Sequence, residues 1–525
     1  MPGNRVKTSA PRPRQAGLPP MEVLEGAAIA ERFAGHLADE SRLAGSAEAL
    51  AFPLCEADVC ELLPGGRTVT ISSGRTGICG GAVPRGGLAV STERMDSLAV
   101  EQAGDGRWTA RCGPGLSLER LGSELAAHDP KLFFPPNPTE STAQVGGAVA
   151  ANASGGRTYR WGATRRYVRG LRVALACGEI LAIARGECLA SDGGFEIELS
   201  GGGVLNVPVP RVRMPAVKSA AGYFAAPDMD LVDLFVGSEG TLGAIVETTL
   251  DLEIAPESIL SLQGFFPGEE GALDFVRALR GEIESEAPPP AGVQAIEYFD
   301  GRSLDLLREK RAADGPDSEI PELPGDAGAA VLVEVAGDAH DEDEALESLA
   351  VLLEAFGADS ETAWAGMDER ERERLAAFRH ALPEAVNSLI GRAQREHPEL
   401  TKVGTDMAVP AGALGEMMNA YRSAMETAGL RYVIFGHAGE NHLHLNVLPA
   451  NMDEHARAKK LYLDLARRAV ELGGTVSAEH GIGKLKRAFL EVMYGPEGVK
   501  EMLGVKRALD PDGILGPGTL FQQQE

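Results

Sequence analysis

The stretch GHAGENHLHLNV, residues 436–447, carries His437, His442 and His444 within eight residues. Imidazoles this close together can bind a metal, move a proton or form the polar face of a strand. HLHLN alternates strictly. On a strand, His442, His444 and Asn446 therefore share one face, and Leu443, Leu445 and Val447 the other. The leucine face can bury in a core while the polar face looks into a cleft. His437 lies beyond the AGEN loop and can fold back beside His444. A second reactive piece is SAEHGIGK, residues 477–484, where Glu479 and His480 are adjacent. A turn into Gly481 would aim both side chains at one site.

Three glycine clusters, at 72–84, 145–156 and 237–243, offer different chemistry. Backbone N–H groups with no Cβ in front of them form anion-binding nests. In residues 135–156 the prolines halt the chain, and Thr139, Ser141 and Thr142 offer hydroxyls or a cap. Gly146 and Gly147 then start a small-residue helix, whose N-terminus favours a phosphate. Turns and close packing explain each cluster equally well when it is taken alone. Neither G-x-G-x-x-G nor G-x-x-x-x-G-K-[ST] occurs, so a Rossmann site and a P-loop lack sequence support.

These pieces must be positioned by more than one core, because 525 residues exceed an ordinary domain. Residues 1–50 read as a flexible basic, Pro-rich tail followed by an amphipathic helix near 21–50. From 51 to 255, short apolar runs such as TVTISSG, LRVALACG and GAIVETTLDLEI alternate with glycine-rich turns and read as strands. Residues 201–217 read as a loop or edge strand because of their prolines. The texture changes after 255, and an α+β domain is expected over 256–485. Its strand candidates are AAVLVEVAG and the histidine stretch, and its helices fall at 368–396, 411–428 and 453–472. The last helix is expected to start at an N-cap near Asp453 and to stop at Gly473. Residues 486–525 form a C-terminal segment that packs back on a domain.

The net charge of −27 repels phosphate backbones and argues against nucleic-acid binding. Six cysteines, none beyond Cys188 and none in a C-x-x-C pair, argue against a thiolate zinc site or an Fe–S cluster in this chain. No secretory h-region and no run of eighteen apolar residues is seen, so the expected compartment is the cytoplasm, without a membrane span.

In combination and order, SGRTGICGGAVP, PPNPTESTAQVGGAVAANASGG, WGATRRYVRGL, GSEGTLG and LDPDGILGPG resemble the FAD-linked oxidases of the vanillyl-alcohol oxidase and para-cresol methylhydroxylase type. GHAGENHLHLNV and SAEHGIGKLKR narrow the resemblance to the branch of D-lactate dehydrogenase, the glycolate oxidase FAD subunit and D-2-hydroxyglutarate dehydrogenase. The implied fold is α+β: an FAD-binding domain of two subdomains, and an α+β cap domain with an antiparallel sheet. By resemblance, Ser73, Gly74, Arg75, Thr76, Gly77, Gly80 and Gly81 cradle the FAD pyrophosphate together with Pro136, Thr142, Gly146, Gly147, Asn152, Ser154 and Gly155. Glu239 and Gly240 would lie beside the adenosine or ribityl part. Arg75 stands where relatives commonly have glycine, and Gly516 where many have an asparagine near the flavin. The first 255 residues hold only His36 and His128, neither in a matched motif, so the FAD is expected to be noncovalent.

The same resemblance makes His437, His444 and Glu479 ligands of a divalent metal and His480 the base. Two imidazoles and a carboxylate suit zinc with an open position, and manganese or iron would also accept them. His442 departs from the relatives' G-D-G-N-L-H and is assigned to the pocket with Asn446. Arg379 and Lys402 are candidate anchors for a substrate carboxylate. The expected reaction is oxidation of a D-2-hydroxy acid to the 2-oxo acid, with hydride passing to flavin N5. The electron acceptor would be a quinone, a cytochrome, an electron-transfer flavoprotein, oxygen or an Fe–S partner subunit, and a homodimer is allowed. Two alternatives stand beside it: a flavin transferase like alkylglycerone-phosphate synthase, and a nonenzymatic flavin- or metal-binding module.

Overall fold

The computed structural model describes residues 3–522 apart from Asn137, Thr139, Ala339 and His340. The Thr139 hydroxyl considered above thus lies outside the described residues. The chain divides into two compact units. The first comprises Met1–Ser154, Ala163–Ala255 and Val476–Glu525, and the second Gly155–Gly162 and Pro256–Thr475. The second unit therefore ends before the expected 485, and residues 477–484 belong to the first.

In the first unit, a four-stranded sheet runs in the order Glu22–Glu25, Ala49–Phe52, Leu88–Ser91, Val69–Ser72. Its last three strands are mutually parallel. A six-stranded antiparallel sheet is built around the long strand Ala244–Ile254. Val59, Val69, Val90, Ala174, Ile180 and Val246 close a core between the two sheets. Ile514 and Leu515 join that core, and the Val69 N–H donates to Ile514 O at 2.7 Å. The C-terminal segment is thereby fixed to this unit's sheet.

The N-terminal residues differ from expectation. Residues 21–50 form the strand Glu22–Glu25, the short helix Ala27–Arg32 and a 3-10 turn at Ala34–Leu37, not one amphipathic helix. Pairing with Ala49–Phe52 overrides the helical pattern, and Gly26 at φ 63° breaks the chain between strand and helix. The basic start is anchored as well. Arg5–Lys7 pairs in parallel with Gly194–Glu198, and Arg5, Arg12 and Arg14 meet Glu196, Glu247 and Asp58. The excess acid of the chain supplies those partners. Among the described residues, Val204–Pro208 pairs only with Gly194–Glu198, as an edge strand that tolerates Pro208 at its end.

The second unit is built on a seven-stranded sheet with every neighbour antiparallel. Its order is Trp364–Gly366, Ser258–Phe266, Ala329–Gly337, Val293–Asp300, Tyr432–His437, His442–Val447, Val403–Gly404. Helices Gly301–Asp314 and Glu369–Ala393 cover one face, burying Leu304, Leu307, Phe378 and Leu382 on Phe265, Phe299 and Val433. Asp368 caps the second of these in a capping box with Glu371. The third expected helix spans Met452–Glu471, and its N-cap is Asn451, not Asp453. Asn451 is extended and accepts from the Glu454 N–H, while Asp453 sits in the first turn, where its charge suits the helix dipole. Gly473 follows at φ 83°. Residues 155–162 dock on this sheet through Trp161 Nε1 to Gln294 at 3.1 Å and Arg157 to Glu334 at 2.8 Å.

Candidate active site

The histidines sit at the end of the Tyr432–His437/His442–Val447 hairpin. Register places His437 opposite His442, and Phe435 opposite His444. Directly paired residues point to the same face, so the hairpin gathers all three imidazoles. Their ring centroids are 5.4 Å (437–442), 5.6 Å (437–444) and 4.3 Å (442–444) apart. Each ring offers a nitrogen, and these atoms lie within 4.8 Å of one another. The opposite face carries Leu443 and Leu445, buried as the alternation requires. The polar face is more enclosed than expected. His437 and Asn446 are buried, and His442 is 0% exposed. Asn446 contacts the His444 carbonyl at 3.5 Å.

The next strand extends the row, because Glu297 pairs with His437. The His437 Nδ1–H donates to Glu297 Oε1 at 2.6 Å, and Arg379 donates to the same oxygen at 3.3 Å. Burial pushes the Glu297 carboxyl up, but the Arg379 guanidinium and His437 outweigh it and hold it well below the usual range. His444 Nδ1–H donates to the Thr405 carbonyl at 2.8 Å, and His442 Nε2 lies 3.2 Å from Asp406 Oδ1. Arg379 reaches this row from the helix whose Phe378 and Leu382 fill the core. Lys402 is exposed, just ahead of Val403–Gly404.

In the first unit, residues 477–484 form an irregular loop pinned along its length. Gly481 and Gly483 have φ 75° and 53°, and a Cβ on Gly483 would stand 2.1 Å from Cys79 O. The Ile482 and Gly483 N–H groups donate to the Glu239 carboxylate at 2.8 and 2.7 Å, and the Lys484 N–H to Cys79 O at 2.8 Å. Burial raises Glu239 to about 7, against those two backbone bonds. Glu239 therefore holds this loop, a role the sequence did not reveal. Glu479 accepts from Lys218 Nζ at 3.0 Å and from Ser154 Oγ at 3.3 Å, and His480 Nε2 lies 3.6 Å from Glu479 Oε1. The turn does bring Glu479 and His480 side by side.

The first two glycine clusters form one surface in this unit. Ser73 Oγ donates to Pro114 O and Gln144 Oε1 at 3.1 and 3.0 Å. A Cβ on Gly74 would meet Gln144 N and Thr142 O at 3.2 Å, one on Gly147 would meet Ser73 Cβ at 3.3 Å, and one on Gly146 would meet Pro114 Cβ at 2.5 Å. Gly77 faces open space, and Gly81 has only the Glu239 carboxylate at 3.8 Å. Arg75 has φ 59° and turns its guanidinium to Ser73 O, Ser91 and Glu93. The Thr142 hydroxyl donates to Glu140 at 2.6 Å, and Asn152 Oδ1 accepts from the Arg165 N–H at 2.9 Å. Thr76 and Gly80 complete the first loop, Pro136 is buried, and Gly240 has φ 70°. Gly155 opens the segment of the second unit and donates to Thr158 Oγ1 at 2.9 Å.

Profiles of two families match this chain: the FAD binding domain over residues 48–184, and the C-terminal domain of FAD linked oxidases over 256–520. The chain belongs to the FAD-linked oxidases. This FAD-linked oxidase is 30% identical to glycolate oxidase subunit GlcD of Bacillus subtilis, over 85% of its own length and 82% of that protein's. It is 30% identical to a D-lactate dehydrogenase of Anaerostipes hadrus, over 86% and 84%. The solved structure of alkyldihydroxyacetonephosphate synthase matches with a TM-score of 0.57 at 15% identity, covering 91% of this chain and 77% of that one. That likeness shows the fold, the expected vanillyl-alcohol oxidase type.

The residues of this oxidase suit FAD, which its family binds, and the divalent metal that the sequence resemblance implies. For FAD, the bare backbone at Gly77 and Gly81 leaves room for a close diphosphate, while Gly74, Gly146 and Gly147 hold the loops in contact. For a metal, an acceptor on Nδ1 fixes His437 and His444 as tautomers with the lone pair on Nε2, the usual support of a metal-bound imidazole. Sequence reasoning missed Glu297, Asp406 and Lys218. Glu297 had a faint signal as an acid inside the largely apolar run AIEYF. Asp406 and Lys218 had none.

Among the described residues, no helix is long and apolar enough to cross a membrane.

Proposed function

We propose that this protein oxidises a D-2-hydroxy acid to the 2-oxo acid, with noncovalent FAD and a divalent metal, zinc by its donor set. The observation that carries the reading is the row of imidazoles on the hairpin, with acceptors on Nδ1 of His437 and His444 and the Asp406 carboxylate 3.2 Å from His442. Family membership and relatives named for glycolate and D-lactate support the substrate class. Bound FAD supplies the hydride acceptor. A divalent ion supplies Lewis acidity toward the hydroxyl.

The residues of the chain do the rest. His437 and His444 are the imidazole ligands in this reading, and Glu479 keeps the ligand role that the resemblance assigns. His480 takes the hydroxyl proton as the Cα hydrogen leaves with its electron pair and the carbonyl forms. Its ring is partly exposed and has Glu479 at 3.6 Å to orient it. Lys402 and Arg379 are the cations proposed for the substrate carboxylate. Arg379 is already engaged by Glu297, so its grip would be shared. Residues 73–81 and 142–147 bind the diphosphate through backbone N–H groups.

An anaerobic screen of D- and L-2-hydroxy acids, read by bleaching of the flavin, tests the reading. Bleaching by a D-2-hydroxy acid is the expected result. No bleaching by any member, from a protein carrying stoichiometric FAD, refutes it.

A further inference from the structure

The resemblance assigns two histidines to the metal and gives His442 a place in the pocket. The structure puts His442 on the same face as the other two, within one cluster of rings. We propose that His442 is a third imidazole ligand, so that the hairpin alone presents three histidines to the ion. This rests on the reading that the histidine face binds metal.

Three observations carry it. The first is register. His442 is directly opposite His437 and two residues before His444 on the same face, and its ring centroid lies 4.3 Å from that of His444. The second is burial. His442 and its neighbour Asp406 are both 0% exposed. A ring sealed from solvent is poorly placed to exchange a proton with water or to line an open pocket, whereas a ligand gains from the exclusion of competing water. The third is the outer acceptor. Asp406 Oδ1 lies 3.2 Å from Nε2 of His442, an ion-pair distance, while Glu297 and the Thr405 carbonyl accept hydrogen bonds from Nδ1 of His437 and His444. A proton on Nε2, the nitrogen nearer that carboxylate, leaves the ring's lone pair on Nδ1, a ligand atom for soft-to-borderline divalent ions. Three imidazoles, with Glu479 keeping the ligand role of the proposed function, form a donor set that zinc or cobalt accepts.

The full-length, FAD-loaded protein is stripped with a chelator and titrated with Co²⁺. Affinity is read by chelator competition and geometry by the cobalt d–d bands beyond the flavin absorption. The parent is expected to take up one equivalent. His442→Asn restores the residue of the family pattern. It should lower affinity by more than about 100-fold, beyond the 10–100-fold typical of losing only an outer hydrogen bond, and should change the bands. Asp406→Asn should fall within that 10–100-fold range and keep the band pattern. Flavin content and thermal melting check that each variant is folded. X-ray absorption of the metal-loaded parent counts imidazoles without any substitution: three support the proposal and two overturn it. A folded His442→Asn with parental affinity and bands also overturns it and leaves the metal reading intact. A parent that binds no ion overturns both.

Discussion

Glu297→Ala tests the carboxylate behind His437. Glu297 is buried, and its Oε1 accepts from His437 at 2.6 Å and from Arg379 at 3.3 Å. A hydrogen bond to a charged group contributes about 1.5–3 kcal/mol. At about 1.4 kcal/mol per decade, its loss should weaken metal binding by roughly 10- to 150-fold. That agrees with the ~10–100-fold typical of removing an outer partner from a metal-bound histidine. The substitution also strips Arg379 of this carboxylate, at a further cost in stability of about 1–3 kcal/mol. The two effects separate. Glu297→Ala/Arg379→Ala should recover part of the stability but none of the metal affinity. Glu297→Gln keeps an acceptor at the same position and should lose less affinity than Glu297→Ala. Chelator competition with Zn²⁺ or Co²⁺ gives the affinity, and urea unfolding gives the stability. If folded Glu297→Ala binds within about twofold of the parent, well short of the range for an outer partner, the carboxylate does not orient a ligand and the reasoning fails.

His480→Asn should retain FAD and metal yet slow anaerobic flavin reduction by roughly 10²–10⁴, and a parental rate in stopped flow would move the base elsewhere. Acid precipitation should leave the yellow colour in the supernatant, since a coloured pellet would mean a covalent flavin. Burial raises Glu239 from 4.5 to about 7, so its contribution to stability is present below pH 4.5 and is lost as pH rises through about 7. Glu239→Gln, which cannot ionise, should therefore show a shallower fall in stability than the parent between those values, and identical urea midpoints-versus-pH curves would contradict the assignment.

Local pattern made a large part of this molecule legible. Strict alternation in HLHLN fixed which side chains share a face, because strand side chains alternate whatever the strand packs against. Glycine density marked loops that need bare backbone, and Gly146 against Pro114 and Gly483 against Cys79 O are such contacts. The order of the motifs indicated the family. Other features depended on distant partners. Residues 21–50 carry a helical pattern, yet Glu22–Glu25 within them pairs as a strand because Ala49–Phe52 offers an open edge. Glu239, placed beside the FAD by resemblance, accepts from the N–H groups of Ile482 and Gly483, 243 and 244 positions away. Glu297 stands 140 residues before His437, and only the pairing of two strands puts it on the imidazole. Asp406 reaches His442 in the same way. Local sequence determines which residue types are available and which way they face, since those follow from backbone period. Which acid stands behind which histidine is decided by strand register across long separations, and no local spacing encodes it.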